Sequence, residues 1–341
     1  MQTLKVPRVN ASTLTFTANE MCLANILPTA STLSPAPGDE AALLKPFTYT
    51  TARPGKGVRK RLLTALNLWM KVPQADMECI AKVVSMLHDA SLMLDDIEDG
   101  SQLRRGQPAA HTIYGVPHTV NAATYIHTLV YQKLSELKFT RGEYRDLVTI
   151  VTDELVCLHH GQSSDILWRD SFRCPSEAEY VVMVKNKTGG LFENGRETYD
   201  GLFNHRPGHS PVSRNYVLLA DLIGIHFQIR DDYMNLQSLE YTSSKGFAED
   251  LDEGKFSFPI IHAVHVDTSN RLILDTLKDR PVPPALKRQI INYLKYDTKS
   301  FDYTRSILEA LEAKITHEVA ILGGNTELSG IIKDLHVGTA I

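Results

Sequence analysis

Two clusters of carboxylates raise the chemical question. The run Asp95-Asp96-Ile97-Glu98-Asp99 sets Asp95 and Asp99 four residues apart, which on a helix puts both on one face, about 6 Å apart. Like charges so placed repel, and they stand at the end of an apolar helix, where the macrodipole disfavours acids. Bound divalent cations remove both costs. Hard oxygen ligands, few in number, suit Mg²⁺ that keeps waters and completes its shell with a substrate phosphate. A solvated acidic helix end accounts for one such cluster equally well. A second acidic pair, Asp231-Asp232, lies far downstream in another long apolar stretch, and buried carboxylates without cations are very costly. Two acidic helices facing each other across a cavity imply a multi-magnesium site whose ligand is a diphosphate.

Basic residues are spaced to meet that anion. Pro54-Gly55-Lys56-Gly57-Val58-Arg59-Lys60-Arg61 joins a glycine turn to Lys56 and Arg59 at a helix start, an anion cradle. Its other reading, a localisation or nucleic-acid patch, rests on one four-charge cluster in an acidic chain. Arg104 and Arg105 follow the first acids directly. Lys187-Thr188-Gly189-Gly190 sets a Lys-Thr pair beside permissive glycines, and Lys245 and Lys255 flank a loop containing Asp250, Asp252 and Glu253. Each charge alone is compatible with a solvated surface; with the acids they describe a site for two diphosphates.

Helices must carry these residues. Val83, Val84, Leu87, Ala90 and Leu94 recur at three- and four-residue steps, as do Leu147, Ile150, Val151, Leu155 and Leu158. Ser176-Glu177-Ala178-Glu179 is a capping box that opens a helix at Tyr180, and Tyr216 to Leu236 is a long, mostly apolar helix. No period-two strand pattern of useful length and no internal repeat interrupts them. The body is expected to be all-α, one domain of roughly ten or more helices around a central cavity. Trp69, Trp168 and an inert, buried Cys157 are expected in packing roles, and His159-His160 in core or supporting ones.

Composition limits the partners. In 341 residues, 36 Lys and Arg stand against 40 Asp and Glu, a net charge of −4, so no broad basic field attracts nucleic acid or anionic lipid. The four cysteines have neither disulfide-framework nor zinc spacing, and no apolar run of about 18 residues spans a membrane. A reducing, cytoplasmic setting is expected. Residues 1–45, rich in Ser, Thr, Ala and Pro, are expected to form a flexible leader, with organellar targeting left open, and residues 46–341 the working domain.

Taken in order, the blocks LHDASLMLDDIEDGSQLRRGQPAAH, KNKTGGLF, FQIRDDYMNL and GFAEDLDEGKFSFPIIHA resemble the trans-isoprenyl diphosphate synthases, most closely the eukaryotic and fungal geranylgeranyl diphosphate synthases. The likeness covers about residues 53–336. It implies the isoprenoid synthase fold, a homodimer, and Mg²⁺ as cofactor, three ions per site. It further implies that Lys56, Arg59, His88 and Arg105 hold isopentenyl diphosphate. Arg104, Lys187, Thr188, Gln228, Asn235, Lys245 and Lys255 are implied to hold the allylic diphosphate, and Asp95, Asp99 and Asp231 the metal. The implied reaction is ionisation of an allylic diphosphate (dimethylallyl, geranyl or farnesyl), attack by isopentenyl diphosphate and proton loss. Small residues at Ala90 and Ser91, before the first acids, argue against a short floor to the chain pocket; His127 is a further expected wall residue, and a C20 product is expected. Three alternatives stay open: a C25 or longer product, a class I terpene cyclase, and a non-catalytic regulatory subunit. The cyclase is disfavoured because Asp231-Asp232-Tyr233-Met234-Asn235 is not the Asn/Ser/Glu metal triad of that class. The chain opens with Met1 and carries no cyclase domain, so a free-standing synthase is expected. The charged stretch Glu193–Asp200 departs from the family's apolar pattern and puts the chain pocket and the dimer contact in question.

Overall fold

The computed structural model describes residues 37–53, 55, 57–135, 141–189, 216–237 and 247–338. Lys56, Lys245, Glu193–Asp200 and most of the expected leader lie outside them. The chain divides into two units, residues 1–44 and 45–341. What is described of the first is one helix, α1 (Pro37–Leu43), with Asp39 and Glu40 in its first turn, where the dipole favours acids.

The second unit runs α2 (Lys45–Thr51), α3 (Val58–Met70), α4 (Gln74–Glu98), a hairpin of β1 (Leu103–Arg104) and β2 (Gln107–Pro108), α5 (Ala110–Tyr114), α6 (Val116–Ser135), α7 (Arg141–Asp170) and α8 (Glu177–Val184). After a π-helical turn (Lys185–Gly189) come α9 (Tyr216–Gln237), α10 (Glu249–Glu253), α11 (Phe258–Val266), α12 (Leu272–Thr276), α13 (Pro284–Asn292), α14 (Ser300–Ile321) and α15 (Thr326–Leu335). The protein is all-α, as the periodicity predicts.

Local rules fix the ends that matter. Helix α4 stops at Asp99 because Gly100 takes a left-handed φ of 69°. The Asp99 and Ser101 N–H groups then close onto the carbonyls of Asp95 and Asp96, a glycine-terminated helix end. The acidic cluster therefore occupies the last turn and its cap. Helix α8 opens on the capping box: the Ser176 hydroxyl accepts from Glu179 N–H, and the Glu179 carboxylate accepts from Ser176 N–H. The helix begins at Glu177, directly after its cap, rather than at Tyr180. The hairpin has no counterpart in the sequence expectation. Its two-residue strands are too short to alternate, and the left-handed turn residues are Arg105 (φ 54°) and Gly106 (φ 74°), a type I′ pattern without the usual Asn.

Three apolar clusters bind the helices. Val83 and Leu87 of α4 meet Val130 and Leu134 of α6 and Leu147 of α7. Leu62 of α3 meets Leu219 and Ile223 of α9, Ile315 of α14 and Ile331 of α15. Tyr180, Ile229, Leu251, Ile260 and Leu294 anchor the third. Each fully buried Leu or Ile contributes about 1.5–3 kcal/mol over an exposed one. Trp168 lies in this third core. Trp69 is half-buried, and its indole N–H donates to Gly324 O at 3.0 Å. Cys157 is exposed rather than buried: it falls on the outer side of α7, one step off the Leu155–Leu158 stripe. No disulfide links the described cysteines, Cys79, Cys157 and Cys174.

Candidate active site

Helices α4, α7 and α9, the hairpin and the α10 loop surround a cavity of about 640 Å³. Asp95 and Asp99 of α4 and Asp231 of α9 line it, so both acid clusters reach one space. Arg59, His88, Arg104, Arg105, Lys187, Gln228 and Lys255 line it too. A second cavity of about 700 Å³, lined also by Lys60, Lys82, Arg230 and Ile331, shares Arg59, His88 and Arg105 with the first. These three residues thus stand where two cavities meet.

On the acidic side, charges are already paired. Arg104 donates through Nε and Nη2 to Oδ1 of buried Asp96, the former at 2.7 Å, and reaches Asp95 Oδ2 at 3.5 Å. Burial works most strongly against the Arg104 charge, but Asp96, Asp95 and Glu253 together outweigh it and the pKa is raised. Lys187, in the π turn, donates to Asp165 Oδ2 at 3.0 Å and lies 3.8 Å from Asp95 Oδ1. Its pKa is also raised, the loss from burial being exceeded by Asp165, Asp95 and Asp99 together. The Asp99 carboxyl is pushed well above the usual range by burial first, then by Asp95 and Glu253.

The two aspartates of the second motif differ. Asp231 faces the cavity. Asp232 is fully buried and accepts from Tyr180 Oη (2.6 Å), Gln228 Nε2 (2.9 Å), Phe258 N–H (2.9 Å) and Lys255 Nζ (3.1 Å). Its counter-ion is Lys255. Asp232 also raises the Lys255 pKa against the opposing effect of burial, with Asp250 adding to it.

On the other side, burial lowers the Arg59 pKa to about 10, with Asp89 resisting. Burial, then Arg59 and Arg105, pushes the His88 imidazole down to about 2, leaving it neutral. The Arg105 guanidinium donates to Arg53 O at 2.5 Å and to Thr50 O at 3.4 Å. It lies 3.6 Å from Asp89 Oδ1.

Not every expected site residue reaches the cavity. Asn235 is buried outside its lining; its carboxamide oxygen accepts the Asp250 N–H at 3.2 Å, so it supports the α10 loop, one turn beyond Asp231. Ala90 is fully buried in the core, whereas Ser91 and His127 line the cavity. Thr188 lies in the π turn. His159 and His160 are exposed rather than in the core, and His159 lines the cavity.

Residues 40–294 match the polyprenyl synthetase family. The chain belongs to that family. A geranylgeranyl pyrophosphate synthase of Hericium erinaceus is 43% identical over 319 residues, 88% of this chain and 93% of the relative. One from Mucor circinelloides f. lusitanicus is 43% identical over 298 residues, 87% and 94% of the two chains. An IDS-like terpene synthase of Melampsora larici-populina is 43% identical over 302 residues, 87% and 93%.

In this polyprenyl synthetase, α7 supplies wall residues that the sequence motifs do not flag. Gln162 and His159 line the cavity, Asp165 binds Lys187, and Arg169 binds Asp99. Gln162, Asp165 and Arg169 follow one another at three- and four-residue steps, a polar row on one face of the helix. That row is the signal that points to them.

Proposed function

We propose that this polyprenyl synthetase is a chain-elongating prenyltransferase that condenses isopentenyl diphosphate head-to-tail with dimethylallyl, geranyl and farnesyl diphosphates to make geranylgeranyl diphosphate. One observation carries it: a cavity lined by carboxylates, Asp95, Asp99 and Asp231 among them, with the paired ammonium groups of Lys187 and Lys255, and also by the guanidinium groups of Arg59 and Arg105 with the neutral imidazole of His88. Two diphosphates of different chemistry need two such sites, and a hydrolase or one-substrate enzyme needs one.

The donor set fits Mg²⁺. Asp95 and Asp99 on one wall and Asp231 on another are hard ligands. Among the described residues no three His, Cys, Asp or Glu side chains form a metal-holding group by themselves; a cation held by Asp95, Asp99 and Asp231 would complete its shell with diphosphate and water. When bound, Mg²⁺ neutralises charge that builds on the departing diphosphate. Lys187 and Lys255, held charged by Asp165 and Asp232, present ammonium groups to the same leaving group. The allylic C–O bond breaks with its electron pair going to the diphosphate. The double bond of isopentenyl diphosphate, anchored by Arg59, Arg105 and neutral His88, attacks the cation, and the leaving diphosphate takes the proton. No protein nucleophile is required. Leu94, Leu158 and Phe227 in the lining keep water from the cation. Lys56 and Lys245 complete the two sites in this scheme, on residue type alone.

Homodimeric assembly, three ions per site and a cytoplasmic address belong to the same proposal. The leader, residues 1–45, is proposed to lie outside the catalytic domain. A second possibility, that the cavity ionises a prenyl diphosphate without condensing it, has support in the name of the Melampsora larici-populina relative. Incubation with Mg²⁺, isopentenyl diphosphate and each of the C5, C10 and C15 primers, followed by product sizing, separates them. C20 diphosphate from every primer is expected. Only C15 product overturns the product assignment, and a cyclic or hydrocarbon product from primer alone overturns condensation. Asp95→Ala is expected to lower turnover by about a hundred- to a thousandfold, on the scale of losing a charge-stabilising group; unchanged turnover refutes its metal role.

A further inference from the structure

Arg169, near the C-terminal end of α7, is buried and belongs to none of the sequence blocks that carry the family likeness. Its Nη1 donates to Asp99 Oδ1 at 2.8 Å and its Nη2 to the Glu98 carbonyl at 2.9 Å. Nε is aimed at neighbouring Asp170, 3.5 Å away. The rigid guanidinium fork thus grips two adjacent residues of α4, one through its side chain and one through its backbone. That backbone belongs to the final turn of α4, where helix ends fray most readily. We propose that Arg169 is a positioning residue for the metal site: it fixes the end of α4 and the rotation of the Asp99 carboxylate, committing Oδ1 to itself and Oδ2 to a divalent cation.

The geometry is more specific than an ion pair needs. A lysine could neutralise Asp99, but a single ammonium on a flexible stem holds neither the planar orientation nor the two-point grip. Partners that orient a ligating carboxylate typically change metal affinity 10- to 100-fold when removed. The proposal rests on the cavity being a metal–diphosphate site, so its test reads the metal directly. Mn²⁺ binding is titrated by electron paramagnetic resonance, with a non-ionising allylic thiolodiphosphate present, for the parent, Arg169→Gln and Arg169→Lys. Thermal unfolding without metal and the KM for isopentenyl diphosphate are measured alongside.

Mn²⁺ affinity is expected to fall about tenfold or more in Arg169→Gln and less in Arg169→Lys, with the isopentenyl diphosphate KM within about twofold of the parent. In an Asp99→Asn background, Arg169→Gln is expected to add little, because its effect passes through that carboxylate. Parent-like Mn²⁺ affinity in either folded variant overturns the proposal, as does an undiminished effect in the Asp99→Asn background. If Arg169→Gln does not fold, Arg169→Lys alone decides. A parent protein that binds no Mn²⁺ with the analogue overturns the metal–diphosphate site itself, a distinct result.

Discussion

Asp231 and Asp232 are neighbours in sequence with opposite surroundings. Asp231 borders the cavity, whereas Asp232 is enclosed by four donors from α8, α9, α11 and the segment bearing Lys255. Asp232→Asn keeps the shape but removes the charge facing Lys255. Leaving one member of a buried pair uncompensated costs about 3–5 kcal/mol, read by urea unfolding. A loss below about 1 kcal/mol indicates that Asp250, 3.8 Å from Lys255 Nζ, substitutes. His88 gives a pH test. Burial, then Arg59 and Arg105, holds its pKa at about 2 in the folded protein, against about 6.5 unfolded. Between those values the unfolded chain binds more protons, so this stabilising contribution is complete above about pH 6.5 and declines as pH falls. The slope is at most about 1.4 kcal/mol per pH unit. His88→Gln is expected to flatten the acid side of the stability profile; equal slopes in both proteins refute it. Helix periodicity makes the shared face of Asp95 and Asp99 legible in the sequence. The separate fates of Asp231 and Asp232 are not, because the partners that decide them are distant along the chain.

At the scale of elements, α7 and the π turn determine where Lys187 stands. A Cβ on Gly161 would meet Lys187 Cγ at 2.8 Å and, at 2.9 Å, both Lys187 N and Met183 O. Two of those atoms are backbone, so α7 and the turn touch main chain to main chain. A π turn widens the helix and re-aims the side chains it carries, a frequent feature of functional sites. Gly161→Ala is expected to push the turn away, costing about 1–3 kcal/mol and raising the KM for allylic primer more than that for isopentenyl diphosphate. Equal changes in the two constants, or none, count against this contact as the device that positions Lys187. The long helices are readable because their apolar stripes persist over several turns. The π turn is not, since it depends on a close approach that a single glycine permits, and the hairpin is too short to leave a pattern. The polar row of α7 is present in the sequence but looks like a solvated face until the opposing helices are in place.

Over the whole molecule, a net charge of −4 conceals a cluster of Arg and Lys side chains gathered on one cavity, and the remaining question is how long a chain that cavity holds. Ser91 lines it while Ala90 belongs to the core, so the pocket wall is set by one of the two small residues before the acids, and by residues of other helices. His127 of α6 and His159 of α7 both line it. The His127 Nε2 has no hydrogen-bond partner among the described residues, and burial, then His159, lowers its pKa. His127 is therefore a neutral wall that an apolar chain can press against without displacing a charge. Removing it costs no hydrogen bond at that nitrogen and opens space. His127→Ala is expected to extend the product by at least one five-carbon unit, and His127→Trp to stop it at C20 or shorter with a slower final addition. Both are read by sizing products after incubation with farnesyl diphosphate and excess isopentenyl diphosphate. A parent-like distribution from His127→Ala moves the floor to α7, where Leu158 and His159 are the next residues facing the same cavity.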